Sequence, residues 1–415
     1  MFTKIAIAAA VASTMVLGLS GCEISINDDS IKGSGHIITE KRDATSFDSI
    51  DNQSPFDIEL VVDGKNNVVV EGDDNFVKEV ETVVEGHTLV VRNKRKGSFH
   101  FSWKTAPTTV KISTAALVKA MNSGSGDMHL RDLKNKKLEI VNEGSGDINA
   151  AGTATELNFR TSGSGDVSLR QLNTKKLTVE MHGSGDTEFG EVMQSLNAKL
   201  TGSGDLHVAK LQSEQTTLSV EGSGGISLRG ISKNLDIDMS GSGDVSVDEI
   251  QAEKADIQMS GPGELSISGE TKSLKLRVSG SGSVDASRLK VGDADIHNSG
   301  PADLQFKTLT GNVILDTSGS GDIEADLSSA TTIQISSDGP GSITLHGTAK
   351  KLTANLNGSG DLHATELLLE LASVKVNGPG EASVNVKAAG EANAHESRIK
   401  NGSRVVTIDR NGVVQ

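Results

Sequence analysis

The sequence predicts an all-β protein, a parallel β-solenoid with coils of about 20 residues behind an N-terminal β cap. Three observations predict it. A Gly-Ser-Gly-Asp tetrad recurs fourteen times, its first glycine falling at Gly124, Gly144, Gly163, Gly183, Gly202 and onward to Gly378, with spacings that alternate between 20 and 19. A fixed period near 20 marks stacked repeats. Between tetrads apolar and polar residues alternate, as in Val167, Leu169 and then Leu177, Val179, Met181. Period two is that of a strand with one buried face. Large side chains are also scarce, with nine Phe, one Trp and no Tyr in 415 residues. Such a chain can fill a thin repetitive core but not a thick globular one.

Residues 1–21 read as a signal peptide. Lys4 supplies a short positive region and Ile5 to Leu19 an apolar run of about 15 residues, short for a membrane span. The run ends in Leu19-Ser20-Gly21-Cys22, and Cys22 is the only cysteine. A single cysteine excludes a disulfide framework and a thiolate metal site. The ending resembles the lipobox of bacterial lipoproteins, which implies cleavage before Cys22 and acylation of that residue. Two or three acyl chains give stable anchoring where one does not. Glu23, in place of an aspartate, implies the outer membrane in that family.

Residues 22–35 form the anchor and a polar linker. Residues 36–123 lack the tetrad but hold Phe47, Phe56, Phe76, Phe99, Phe101 and Trp103. Strand-like runs at 56–62, 67–71, 88–92 and 108–112 read as a β segment that starts and caps the solenoid, because an open end would expose core and strand edges. Residues 124–381 are the solenoid. Each unit reads as a glycine turn, a short strand, a polar turn and a second strand, with the turn absorbing the 19/20 alternation. The glycines supply backbone conformations at the corner that a Cβ would block. Residues 382–415 read as the second cap.

In the second half the tetrad serine becomes Pro262, Pro301, Pro340 and Pro379 in alternate copies. Proline has no N–H, so that position reads as one that needs no ladder donor. Two stackings stay open. With one tetrad per rung Gly163 lies on Gly183. With two per rung it lies on Gly202.

Gly33-Ser34-Gly35-His36-Ile37, then Phe47-Asp48-Ser49-Ile50, then the tetrad series together resemble the family described as putative auto-transporter adhesin, head GIN domain. The resemblance covers about 33–400. It implies a right-handed β-helix in the bacterial envelope and an adhesin-like role, and brings no catalytic residues with it. Fourteen tetrads is a long run for that domain, as two heads fused in register would give. The C-terminus shows no set of ~10-residue membrane strands from which a translocating barrel is built.

The fourth tetrad position places Asp127, Asp147, Asp166, Asp186 and Asp205 in one column. One reading is that each aspartate closes its own turn through local N–H groups. The other is a weak calcium site bridging coils, although Ca²⁺ asks for six to eight oxygens and each coil offers one carboxylate. Asn93-Lys94-Arg95-Lys96-Gly97 is a basic turn beside alternating aromatics. It reads either as a solvated hairpin tip over the cap core or as a contact for lipid headgroups. His129, His207 and His363 share an outward position, without metal-ligand spacing.

The net charge of −15 excludes nucleic acid as a partner. No Gly-x-Ser-x-Gly elbow sits between a strand and a helix, and the short turns leave no room for the clefts of β-helix lyases, so no enzyme is expected. No cofactor is expected beyond that calcium alternative. The sequence therefore points to a lipid-anchored rod with an unknown protein or glycan partner. A periplasm-facing structural or envelope-stress lipoprotein is the alternative, and a polysaccharide-binding protein a more distant one.

Overall fold

The computed structural model describes residues 31–95, 101–102, 107–387, 403–409 and 412–413. The signal peptide, Cys22 and most of the linker lie outside the described residues, as do the side chains of Phe99, Phe101 and Trp103.

From Met128 to Val376 every coil is a run of 14–15 β residues, interrupted once between Leu309 and Asn312. Each pairs in parallel with the next. Val167 lies on Thr187 and the carbonyl of Gly163 faces Gly183, so one tetrad makes one rung. At ~4.8 Å per step the stack is a rod.

The coil has three walls, where the sequence suggested two strands. In the coil Val167–Met181 the inward residues are Val167 and Leu169, then Leu172 and Thr174, then Leu177, Val179 and Met181. Two exposed pairs, Arg170-Gln171 and Lys175-Lys176, reverse the parity between walls. Two successive outward residues mark a bend, because strand side chains otherwise alternate. The tetrad is the third corner. Buried hydroxyls brace the bend after the second wall, with Thr174 Oγ1 donating to the Lys176 carbonyl at 3.1 Å and Thr271 Oγ1 to Ser273 at 3.0 Å.

The coil after Gly183 loses its residue at the second bend, between Val192 and Ser195, whereas four other 19-residue coils lose theirs at the first bend. Gly152, Gly230, Gly269 and Gly347 stand there with φ of 136°, 132°, 119° and 101°. L side chains rarely adopt such values. A Cβ on Gly230 would also lie 2.2 Å from the Leu211 carbonyl. The tetrad glycines have a different reason. None has positive φ, so the expectation of a special conformation gives way to one of close approach. A Cβ on Gly165 would sit 2.1 Å from the Gly146 carbonyl, and one on Gly183 2.0 Å from that of Gly163. Ala302 shows that a coil can shift enough to admit one methyl.

The core is a single column of aliphatics from Ile50 to Val384. Phe159 and Phe189 meet edge to face inside it, centroids 5.5 Å apart. Interior amides begin the column. Asn122 Nδ2 donates to the carbonyls of Gly126 and Gly146, and Asn142 Nδ2 to those of Gly146 and Gly165. Met181, Leu200 and Val220 take over that position.

The N-terminal strands are β1 (Ile31–Lys32), β2 (Ile37–Arg42), β3 (Ser49–Asn52), β4 (Asp57–Val62), β5 (Asn67–Asp73), β6 (Val80–Glu85), β7 (Thr88–Asn93), β8 (Phe101–Ser102), β9 (Thr109–Thr114) and β10 (Lys119–Asn122), with one helical turn at Asp74–Val77. They do not stack in chain order. β3 and β4 form a coil directly beneath the first tetrad coil, and β7 and β9 form a further coil beneath them. The parallel stack thus starts before the tetrads do. Antiparallel strands close this end, β6 on β7, β5 on β9 and β2 on β5. Gly33-Ser34-Gly35 is fastened onto the helical turn, with Gly35 N–H donating to Asp73 Oδ1 at 2.7 Å and Ser34 Oγ to Asp74 at 2.6 Å. At the far end Ala382–Lys387 is the last parallel strand, and Ser403–Asp409 runs antiparallel on it.

Gly230→Ala combines a forbidden φ with a carbonyl clash and is expected to destabilise by about 2 kcal/mol. Gly64, with φ of 82° but nothing within 4 Å, is the control. Its alanine variant should cost clearly less in chemical denaturation.

Candidate functional site

The tetrad corner carries two columns with chemistry. The aspartates stand in one line, and their hydrogen bonds run between coils rather than within each turn. Asp127 Oδ1 accepts the Asp147 N–H at 2.9 Å, Asp147 that of Asp166 at 2.8 Å, Asp166 that of Asp186 at 2.9 Å and Asp186 that of Asp205 at 2.9 Å. Asp205 serves Gly225 at 2.7 Å. The line has an earlier member that the sequence did not reveal. Ser54-Pro55-Phe56-Asp57 occupies the tetrad place in the coil below, and Asp57 Oδ1 accepts the Asp127 N–H at 3.0 Å. Burial pushes the Asp57 carboxyl above its ordinary value of 3.8, against the lowering effect of that N–H. Among the described residues no three His, Cys, Asp or Glu side chains gather as a metal-binding group.

The serines form the second column, and their hydroxyls are exposed. Their amides do work in the ladder, unlike the sequence expectation. Ser145 N–H donates to the Gly124 carbonyl at 3.0 Å and Ser164 to Gly144 at 3.1 Å. The following glycine N–H reaches the same carbonyl, 3.4 Å for Gly146 and 3.3 Å for Gly341. That second donor explains how prolines are tolerated in alternate coils.

This corner is the floor of a groove of about 1670 Å³ that crosses six coils, from Ser54 to Ser203. Half-exposed glycine backbone and serine hydroxyls line it, with Glu143 and His182 at its side. The β6–β7 hairpin overhangs one end. Arg92 bonds Glu81 at 2.7 Å and Glu85 at 3.1 Å, Arg95 pairs Glu79 at 3.0 Å, and Lys94 Nζ donates to the Lys78 carbonyl at 2.8 Å. The Arg92 guanidinium holds the Glu81 carboxyl below its ordinary range. So the described part of the basic turn is tied to its own hairpin by acids. Lys96, Gly97 and the aromatics beside them fall outside the described side chains.

A smaller notch of about 370 Å³ opens at the first bend, between Arg131 and Arg170. His129 lies in it. His207 and His363 stand in distant coils at the equivalent place, as their spacing required. Phe159, Phe189 and Phe306 are all buried.

Fold and site together define a parallel β-solenoid with a polar groove along one corner and a capped N-terminal end. The chain belongs to the family described as "Putative auto-transporter adhesin, head GIN domain", whose profile matches residues 46–210, 210–310 and 296–398. The match comes in three segments, where two fused heads were expected. No curated protein matches the chain. Its fold aligns with a crystal structure described as a putative lipid binding protein from Parabacteroides distasonis ATCC 8503, at 17% identity, TM-score 0.24, covering 80% of this chain and 99% of that one. A putative adhesin from Bacteroides fragilis NCTC 9343 aligns at 15% identity, TM-score 0.23, covering 83% and 100%. A further putative adhesin from Parabacteroides distasonis ATCC 8503 aligns at 16% identity, TM-score 0.29, covering 79% and 99%.

Because its folded-state pKa is raised, ionised Asp57 weakens the fold above the ordinary aspartate range. Asp57→Asn keeps an acceptor for the Asp127 amide and is expected to raise the melting temperature at pH 7. Well below the ordinary aspartate value of 3.8, where the carboxyl is uncharged in the folded and unfolded chain alike, the gain should vanish.

Proposed function

We propose that this protein is a lipid-anchored component of the bacterial cell envelope that presents its solenoid for non-enzymic, adhesin-like binding. The observation that carries the reading is the groove along the tetrad corner. It is long, polar and built from repeated rigid coils, which suits holding an extended partner and offers no assembled nucleophile or acid–base pair. Family membership supports the adhesin-like role. The h-region and Leu19-Ser20-Gly21-Cys22 support the anchor, with Cys22 the acylated residue and the outer membrane its location. The partner is a protein or glycan met through hydrogen bonds over a broad face. Among the described residues the exposed large apolar side chains are scattered, among them Ile37, Val118 and Met193, so the contact is not a hydrophobic one.

Protease added to intact cells should remove the protein, as judged by blotting against lysed cells. Protection in intact cells with digestion after lysis would overturn surface display in favour of a periplasm-facing scaffold. Cys22→Ala should move the protein from the membrane to the soluble fraction. Retention in the membrane would sink the anchor.

A further inference from the structure

The notch at the first bend has an origin in the coil lengths. The coil starting at Gly144 is a 19-residue coil between two 20-residue coils. It lacks one residue at this bend, where Gly152 turns with φ of 136° and the ladder registers slip between Leu130 and Leu133 and between Asn149 and Ala151. Ala151 is therefore set back between Arg131 of the coil below and Arg170 of the coil above. Two coil steps separate those arginines, about 10 Å.

Around this recess the donors and acceptors converge. Arg131 and Arg170 flank it, His129, Asn149 and Ser168 line one side, and Glu59 completes the rim. Ala150 and Ala151 give the floor a small apolar patch. Arg170 is held by Glu188 through its Nε at 2.5 Å and its NH2 at 2.7 Å, so it is fixed in place. Arg131 is only loosely paired, 3.7 Å from Glu59. It is the guanidinium freest to meet an incoming anion. The volume falls in the range of small-ligand sites.

We propose that this notch binds a single acidic sugar unit at the end of, or branching from, a glycan. The assignment rests on the adhesin-like reading and names its ligand class. The sugar's acid group meets Arg131 in the bidentate geometry that guanidinium favours. Its hydroxyls donate to Glu59 and exchange hydrogen bonds with Asn149 and Ser168. One C–H face of the ring lies on the alanines. A simple inorganic anion would use the arginines but leave the carboxylate of Glu59, the amide and the alanine floor without a role. An acyl chain finds no apolar channel here. Glu188 and Glu59 offset the two arginines, so in a chain of net charge −15 the attraction of an anion is confined to contact with Arg131 and the affinity is modest.

Calorimetry on the full-length protein in detergent, with galacturonic acid, N-acetylneuraminic acid, glucose and sodium sulfate as probes, tests this. At least one acidic sugar should bind ten-fold or more tighter than both glucose and sulfate. Arg131→Gln should weaken that sugar at least ten-fold and leave glucose unchanged. Ala151→Leu, which fills the recess, should weaken it as much without lowering the melting temperature by more than a few degrees. Sulfate binding as tightly as the sugars would mark a plain anion site and overturn the proposal. So would binding by neither acidic sugar, or equal binding in both variants. These measurements need no cells, so their failure leaves the envelope reading to the protease experiment.

Discussion

The close approach of one coil to the next at the tetrad corner sets the rest of the structure. Gly124, Gly144 and Gly163 each bring their Cα so near the previous carbonyl that no side chain fits between. The backbone can then hand two successive N–H groups to one carbonyl, and the aspartate beside them reaches the next coil's amide. Each coil is thus clamped to the previous one at this corner. With the corner clamped, the register of all three walls follows, and a one-residue slip would turn every inward side chain outward. The serine column, the groove and the aspartate line are products of the same clamp.

The outer surface shows what is left once this constraint is met. Charged side chains pair between neighbouring coils, as Lys210 with Glu191 at 2.7 Å and Lys290 with Glu270 at 3.0 Å. Such exposed pairs add little stability each. They intersperse the two signs on the walls, in contrast to the aspartate line at the tetrad corner, where like charges do stand in successive coils. The interior amides near the N-terminal end act differently. They tie the tetrad carbonyls of adjacent coils from inside, and Asn298 makes the equivalent bond to the Ala302 carbonyl farther along the rod.

Much of the solenoid was legible in the sequence because its signals are periodic. The tetrad spacing and the alternation of Val167, Leu169, Leu177 and Val179 can each be checked in thirteen successive intervals. The second wall was harder, since it rests on one or two residues such as Leu172 and Thr174, too few to show a period. The coil beneath the first tetrad was hidden because Ser54-Pro55-Phe56-Asp57 keeps the shape of the corner without its glycines. Asn122 and Asn142 were masked by the aliphatics that replace them in later coils. The notch was beyond reach of sequence, as it depends on which neighbour of Arg131 is a shorter coil.

The crossed order of the N-terminal strands has a consequence for how the chain acquires its shape. The coil made by β3 and β4 lies between residues 88–114 on one side and 119–130 on the other. One face is covered only when the chain has reached Thr114 and the other only when it has reached Arg131. A repeat array can in principle grow from any point, but this one has its longest loop closures at the end synthesised first. During synthesis the leading segment must therefore wait uncovered while the first tetrad coil arrives. After that, each new coil has a finished edge to join and needs only its own twenty residues to do so.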